Sequence, residues 1–482
     1  MQNPEPAGDV LLYEKRRGVY PKAVDGWYRR VKWGWMAICF AVYYITPWIR
    51  WDRGPYAPNQ AVLIDLANRR FYMFSIEIWP QEFYFVAGLL IMAGIGLFVI
   101  TSAFGRAWCG YSCPQTVWTD LFQHVDRLVD GDRNAQIRLK NAPWTAKKIG
   151  KRALKWSIYL VISSLTGGAW IAYFTDCPTL AREYNAGTAA PIAYYTVAVL
   201  TLTTFVLGGF MREQVCIYMC PWPRIQTAML DEKSLSVTYK DWRGEPRGSV
   251  KQAKDAAEPL GDCIDCDQCV SVCPTGYDIR NGPDISCITC GLCIDACDSV
   301  MDKLDRPRGL IAYATLTGAE AERKHGQPEN ILRTVFRPRT IIYFGIWASI
   351  GMVLLFALGI RQRLDLTVTK DRNPPYMMMS NGSVRNAYTV KLRNMENRPR
   401  TIEIGLDGLP GAVMWSDDVP RSSAARTLRR TVAADQADPL RIYLIAPAGT
   451  EEEEFRFTLR AIDKEGGTAS KETRFDSPGD DE

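Results

Sequence analysis

The 482-residue sequence predicts three architectures in one chain: an α-helical transmembrane bundle, a cysteine-rich domain inserted into it, and a C-terminal β-sandwich. Three observations carry this. Uncharged apolar stretches run over 33–49, 83–104, 156–174, 191–211 and 340–360, most of them close to the ~20 residues that a spanning helix requires and the first at the short end of the range. Eight of the fourteen cysteines fall between residues 263 and 297. Beyond residue 361 apolar and polar residues alternate, the period of a half-buried strand.

The mean hydropathy of −0.14 is that of a soluble protein, but the average conceals this segregation. Lysine and arginine placement orients the helices. Lys15, Arg16, Arg17, Lys22, Arg29, Arg30 and Lys32 precede the first stretch, and nine basic residues lie from Arg106 to Arg152. The connection over 176–190 has only Arg182, and that over 50–82 has four basic residues. The expected order is a cytoplasmic N-terminal segment (1–32), four transmembrane helices with their loops (33–211), a cytoplasmic cysteine-rich domain (212–339), a fifth transmembrane helix (340–360) and an outer domain (361–482). The first 32 residues are polar and charged, so no cleavable signal peptide is expected and the first helix serves as its own insertion signal. The net charge of +5 needs no nucleic-acid partner: the basic residues cluster where anionic membrane lipids account for them.

Within the inserted domain the spacing is Cys263-x2-Cys266-x2-Cys269-x3-Cys273-Pro274, then Cys287-x2-Cys290-x2-Cys293-x3-Cys297. This is the pattern of a ferredoxin-like domain holding two [4Fe-4S] clusters, in which the fourth cysteine of each run ligates the other cube. Cys263, Cys266, Cys269 and Cys297 are assigned to one cluster, and Cys287, Cys290, Cys293 and Cys273 to the second. Structural zinc is the alternative, but it uses two pairs a dozen or more residues apart rather than a duplicated triple. Without iron and sulfur the domain is expected to be disordered.

In the outer domain the alternation covers Leu364, Leu366 and Val368; Tyr388, Val390 and Leu392; Ile402, Ile404 and Leu406; Leu440, Ile442 and Leu444; and Phe455, Phe457 and Leu459. With turn signals at Ser380-Asn381-Gly382 and Asp407-Gly408, an immunoglobulin-like β-sandwich is expected. It contains no cysteine and so uses no disulfide.

A second cysteine set repeats one form, Cys109-x3-Cys113-Pro114 and Cys216-x3-Cys220-Pro221. A four-residue spacing puts each pair on one helical face, and the proline ends the helix. Both pairs fall at the same side of the membrane, so four thiols converge on a metal or redox site; soft thiolates suit Cu(I), zinc or iron–sulfur centres. Cys39 and Cys177 read as packing residues. Only His124 and His325 are present, which argues against a bis-histidine haem in the membrane. Gly94-Ile95-Gly96 lacks the third glycine and the strand of a nicotinamide site. Electrons therefore come from a partner or from quinol. The methionines of Tyr376-Met377-Met378-Met379 read as a β-strand rather than copper ligands.

Trp108-Cys109-Gly110-Tyr111-Ser112-Cys113-Pro114, Cys220-Pro221-Trp222-Pro223-Arg224, Gly261-Asp262-Cys263-Ile264-Asp265-Cys266, Leu12-Tyr13-Glu14-Lys15-Arg16 and Arg337-Pro338-Arg339-Thr340 closely resemble the CcoG/RdxA/FixG family. The resemblance spans nearly the whole chain and is weakest in the C-terminal domain. It implies a bacterial inner-membrane iron–sulfur protein with a periplasmic immunoglobulin-like domain, a cupric reductase converting Cu(II) to Cu(I) for assembly of the cbb-type haem–copper cytochrome oxidase. It further implies copper as a bound ion, Cys109, Cys113, Cys216 and Cys220 as its catalytic and metal-binding residues, and as partners oxidase assembly factors and a copper transporter or chaperone. The electron donor is unknown. A quinol-linked ferredoxin-type relay without copper and a non-catalytic redox-sensing assembly factor are the alternatives.

Overall fold

The computed structural model describes residues 18–54, 57–255, 259–326, 335–361, 363–396, 398–434, 436–463 and 466–478. The Leu12–Arg16 motif lies outside the described residues. The chain divides into two compact units, one comprising 1–49, 62–66 and 84–351, the other 50–61, 67–83 and 352–482.

Helices form over all five apolar stretches, at Trp27–Ile45, Phe83–Phe104, Ala146–Ile171, Pro191–Thr204 and Pro338–Gly359. Three of them, Phe83–Phe104, Pro191–Met211 and Pro338–Gly359, are long and apolar enough to cross a membrane. Their large side chains point outward, as with Leu355 and Phe356, which suits contact with lipid. The remaining two extend past their apolar stretches into charged turns. Trp27–Ile45 takes in Arg29 and Lys32, and Ala146–Ile171 takes in Lys148 and Lys155. Arg29, Lys32 and Lys155 meet acids on Pro114–Asp130, an amphipathic helix in the segment expected to be a cytoplasmic loop, whereas Lys148 donates to the Lys140 and Ala142 carbonyls. Arg29 Nη1 lies 2.9 Å from Asp120, and Lys155 Nζ lies 2.6 Å from Asp130 and 3.3 Å from Asp126. All are buried; pairing is what makes such burial tolerable.

The 176–190 connection also folds, as the helix Cys177–Ala186. Asp176 accepts from the Thr179 amide at its start, and Gly187 closes it at φ 73°, the αL conformation that glycine adopts at little cost. Two short antiparallel strands, Ser236–Tyr239 and Ile311–Ala314, bracket the cysteine runs. Arg337 and Arg339 clasp Asp231 at 2.6 and 2.7 Å, and Arg337 Nη2 donates to the Ser102 carbonyl at 2.9 Å.

In the second unit the alternating segments pair as two antiparallel sheets. One has the order Val413–Ser416, Ala437–Ala446, Val384–Asn394, Leu364–Lys370; the other Thr427–Val432, Arg400–Asp407, Glu453–Ala461, Thr468–Phe475. Their inner faces share one core that includes Tyr388, Ile404, Ile442 and Phe457, each inaccessible to solvent. Met377–Met378 adds a two-residue strand to Val384–Asn394.

Candidate iron–sulfur and thiol centre

The two cysteine runs share a backbone as well as a spacing. Asp265 (φ 52°) and Asp267 (φ 53°) in the first correspond to Thr289 (φ 49°) and Gly291 (φ 75°) in the second. A left-handed residue on each side of the second cysteine curls the chain and turns successive amides inward, the concave arrangement that receives anionic groups. Three of the four are not glycine, which costs roughly 1–2 kcal/mol each. In the first run Arg280 offsets this: it donates to Asp265 and Asp267 at 2.6 Å and to Asp278 at 2.7 Å.

Cys263, Cys266, Cys269 and Cys297 line one cavity together with Tyr239, Met301 and Ile311. Cys273, Cys287, Cys290 and Cys293 line a second with Val237 and Ile288, where Cys269 also reaches the wall. Burial pushes the Cys269, Cys287 and Cys297 thiols up to about 12, and Cys290 and Cys293 also rise. Four thiolates in such a cavity repel one another and lack water, so the donor set calls for a strongly cationic, thiophilic occupant. An iron–sulfur cube fits that requirement. Among the described residues no three His, Cys, Asp or Glu side chains meet at the spacing of a single metal ion; a cube needs no such meeting, because each thiolate binds a different iron.

The Cys-x3-Cys-Pro pairs differ from expectation in local structure. The first cysteine of each pair lies in a π turn, Trp108–Ser112 or Val215–Met219, and the second is the extended residue that closes it. The Cys113 amide donates to the Trp108 carbonyl at 2.9 Å, and the Cys220 amide to the Val215 carbonyl at 2.8 Å. The repeat extends upstream, where Gly105 (φ 61°) and Arg212 (φ 46°) are left-handed four residues before the first cysteine of each pair. Both apolar helices thus end in the same kink, wide turn and proline.

These turns bring the four thiols into one electrostatic neighbourhood. Burial pushes Cys216 up to about 12, with the charges of Cys113, Cys109 and Cys220 adding to it. Cys109 rises to about 11 through burial, against the opposing charge of Arg106 and with Cys113 and Cys220 adding. Cys109 Sγ donates to Gln226 Oε1 at 2.9 Å, and Gln226 Nε2 in turn donates to Thr101 Oγ1 at 3.1 Å.

The first turn sits directly on the second cluster loop. A Cβ on Gly110 would stand 2.7 Å from the Ile288 carbonyl oxygen and 3.2 Å from the Cys290 Cα, so only glycine permits this approach. Tyr111 Oη donates to the Cys290 carbonyl at 3.0 Å. Cys109, Ile288 and Cys290 share one small apolar core. The first helix is tied to the same place: Asp295 Oδ1 and Oδ2 accept from the Tyr28 and Arg29 amides at 3.2 and 2.8 Å, a carboxylate on a helix N-terminus.

Gln226, Tyr111, Gly110, Arg280 and Asp295 were not singled out as functional from sequence. Only Gly110, enclosed between two cysteines, carried a usable signal of close backbone approach. Of the two lone cysteines, Cys177 lies in an apolar core with Leu180 and Ala193, and Cys39 lines a cavity among the helices. Met377 and Met378 are strand residues with exposed side chains. His124 packs edge-on against Trp33, ring centroids 4.9 Å apart.

Residues 211–316 match the family described as a 4Fe-4S dicluster domain, 85–151 match a 4Fe-4S binding domain, and 354–478 match the IG-like fold at the C-terminal of FixG. With the apolar helices and the cysteine-lined cavities, these matches define the class: a membrane-associated iron–sulfur redox protein. The chain is 53% identical to nitrogen fixation protein FixG of Rhizobium meliloti over 94% of its length and 91% of the relative's. It is equally identical to protein RdxA of Cereibacter sphaeroides over 91% and 92%. A crystal structure of a FixG-related protein from Vibrio parahaemolyticus aligns to 25% of this chain and 100% of its own, at 20% identity and a TM-score of 0.20. The chain belongs to the FixG/RdxA family.

Proposed function

We propose that this protein reduces Cu(II) to Cu(I) at Cys109, Cys113, Cys216 and Cys220 and holds the product for assembly of a cbb-type haem–copper oxidase. The observation that carries the reading is the seating of the Cys109 turn on the Cys290 loop, with Gly110 against Ile288 and Tyr111 bonded to Cys290. When bound, iron–sulfur clusters at the eight ferredoxin-type cysteines supply one-electron redox chemistry. The chain's own residues do the rest. Thiolates are the donors Cu(I) prefers, and burial of the Cys109 side keeps water away, while Gln226 Oε1 accepts from the Cys109 thiol only in the metal-free, protonated state. Five membrane crossings, clusters on the cytoplasmic side and a periplasmic sandwich complete the reading, supported by the basic-residue bias.

Replacing all four cysteines with serine is expected to keep the iron content and abolish copper binding and cupric reduction, read by metal analysis and a Cu(I) chelator assay. Copper handling equal to the parent's would end the assignment. Loss of iron in the same variant would favour a second reading, in which the pairs serve the iron centres of an electron relay. The match of 85–151 to a 4Fe-4S binding domain, which contains Cys109 and Cys113, favours that alternative.

A further inference from the structure

Beside the thiol turns, among the helices Trp27–Ile45, Ala146–Ile171 and Pro191–Thr204, lies a cavity of about 670 Å³, within the size range of small-molecule sites. Trp35, Tyr43, Trp118, Trp170 and Tyr173 give it aromatic walls, and among the described residues that line it there is no acid, lysine or arginine. Two of its polar groups, Ser112 and Gln115, lie in the chain beside the first cysteine pair. Gln115 Nε2 donates to the carbonyls of Leu207 and Arg212 at 2.9 and 3.1 Å, which turns the amide oxygen to accept. Ser112 Oγ accepts from Trp35 Nε1 at 2.7 Å, which leaves its own O–H to donate.

We propose that this cavity binds a membrane quinol, which delivers electrons to the iron–sulfur centres through the Ser112–Pro114 edge. An uncharged lining disfavours nicotinamide dinucleotides and flavin nucleotides, whose phosphates would sit inside it, because a buried anion without a cation is costly. A quinol is neutral, flat, apolar in its tail and equipped with two hydroxyl groups. Those features meet the aromatic walls, the helix surfaces and the Ser112–Gln115 pair in turn. Ser112 and Pro114 flank Cys113 in the chain, and Tyr111, one residue before Ser112, is hydrogen-bonded to Cys290. The cavity therefore opens one residue away from the contact that joins the thiol turn to the second cluster loop.

The reaction balances as one quinol oxidised to quinone: two O–H bonds break, two C=O bonds form, two protons leave to water, and two electrons pass to the iron–sulfur centres. The inference rests on the reading of the chain as an electron-transfer protein; it does not require copper as the final acceptor.

The test uses purified full-length holoprotein in detergent with decylubiquinol. Ile38→Trp and Val42→Trp together fill the cavity from side chains that are more than half exposed, so folding is spared. Leu202→Trp, which points away from the cavity on Pro191–Thr204, is the control. The double variant is expected to bind decylubiquinol about tenfold or more weakly by fluorescence quenching and to slow quinol-driven bleaching of the iron–sulfur absorbance by a similar factor. Iron content and reduction by dithionite stay at parent level. Ser112→Ala, which removes one hydrogen bond without adding volume, is expected to weaken binding about fivefold. Parent-like binding and bleaching in the double variant would overturn the proposal, as would protein that co-purifies with phospholipid and neither binds nor is reduced by decylubiquinol. Loss of dithionite-driven reduction as well would place the damage at the cluster loops and also reject the cavity assignment, whereas failure of cupric reduction with normal quinol bleaching touches only the copper reading.

Discussion

The β-sandwich and the iron–sulfur lobe solve the problem of cohesion in opposite ways. Among the described residues the sandwich closes around 23 buried apolar ones, and its sequence contains no cysteine. The cores beneath the cysteine runs hold eight and six, with Cys269 in one and Cys109 and Cys290 in the other. Burial of apolar surface at roughly 25 cal/mol per Å² is ample for the first and meagre for the second. Much of what holds the lobe together is therefore what its thiols bind, whereas the sandwich depends on its own side chains alone.

The largest expected effect tests this contrast directly. Cys293, deeply buried among Cys290, Cys273 and Cys287, is replaced with alanine. Iron is lost, and amide exchange protection over 236–314 collapses while 364–475 stays protected, as expected where ligand binding and folding are one equilibrium. Hydrogen-exchange mass spectrometry reads both regions in one experiment. Unchanged protection of the lobe without iron would break the contrast.

A smaller effect sharpens it. Gly110→Ala places a methyl against the Ile288 carbonyl, and forced overpacking typically costs 1–3 kcal/mol. The loss should appear as a lower denaturant midpoint for the iron–sulfur absorbance, with the sandwich transition unmoved.

The smallest concerns the clasp of Arg337 and Arg339 on Asp231. Partial burial would raise the Asp231 carboxyl, but hydrogen bonds from Arg337, Ser234 and Arg339 outweigh that and hold it down to about 2, from an ordinary 3.8. Its contribution is present above pH 3.8 and is lost as the pH falls toward 2. The side chain keeps 36% of its surface exposed to solvent, which screens the pairs, so less than about 1 kcal/mol is expected. The stability difference between the parent and Asp231→Asn should be constant above pH 4 and close below it; a difference that persists at pH 2 would assign the effect to packing.

What was legible in the sequence follows the same division. The sandwich announced itself because period-two alternation in segments such as 384–394 is a local consequence of a two-faced sheet. The apolar helices were legible for a similar reason, although Trp27–Ile45 and Ala146–Ile171 outran their apolar stretches because Asp120, Asp126 and Asp130, distant in sequence, wait to pair their basic ends. The cysteine spacing pointed to iron–sulfur chemistry directly. The π turns were not legible: a four-residue spacing before proline is equally compatible with an α-helical end, and the choice is made by the kinks at Gly105 and Arg212 and by docking onto the Cys290 loop. The Cys177–Ala186 helix was signalled by Asp176 and Gly187 at its two ends, but its shortness and polarity hid it between longer apolar runs.

The carboxylate of Asp295 gives the first helix a clock. The amides of Tyr28 and Arg29 emerge from the ribosome 266 or more residues before the group that accepts their protons, which at 5–20 residues per second is a wait on the order of 10–50 s. During that interval the positive end of the leading helix is uncapped. The cap arrives on Leu292–Lys303, the helix that also carries Cys293 and Cys297. Capping of the first helix and cofactor loading thereby converge on one late event, and a chain that fails to fold around its iron would leave its earliest helix end exposed to quality-control proteases.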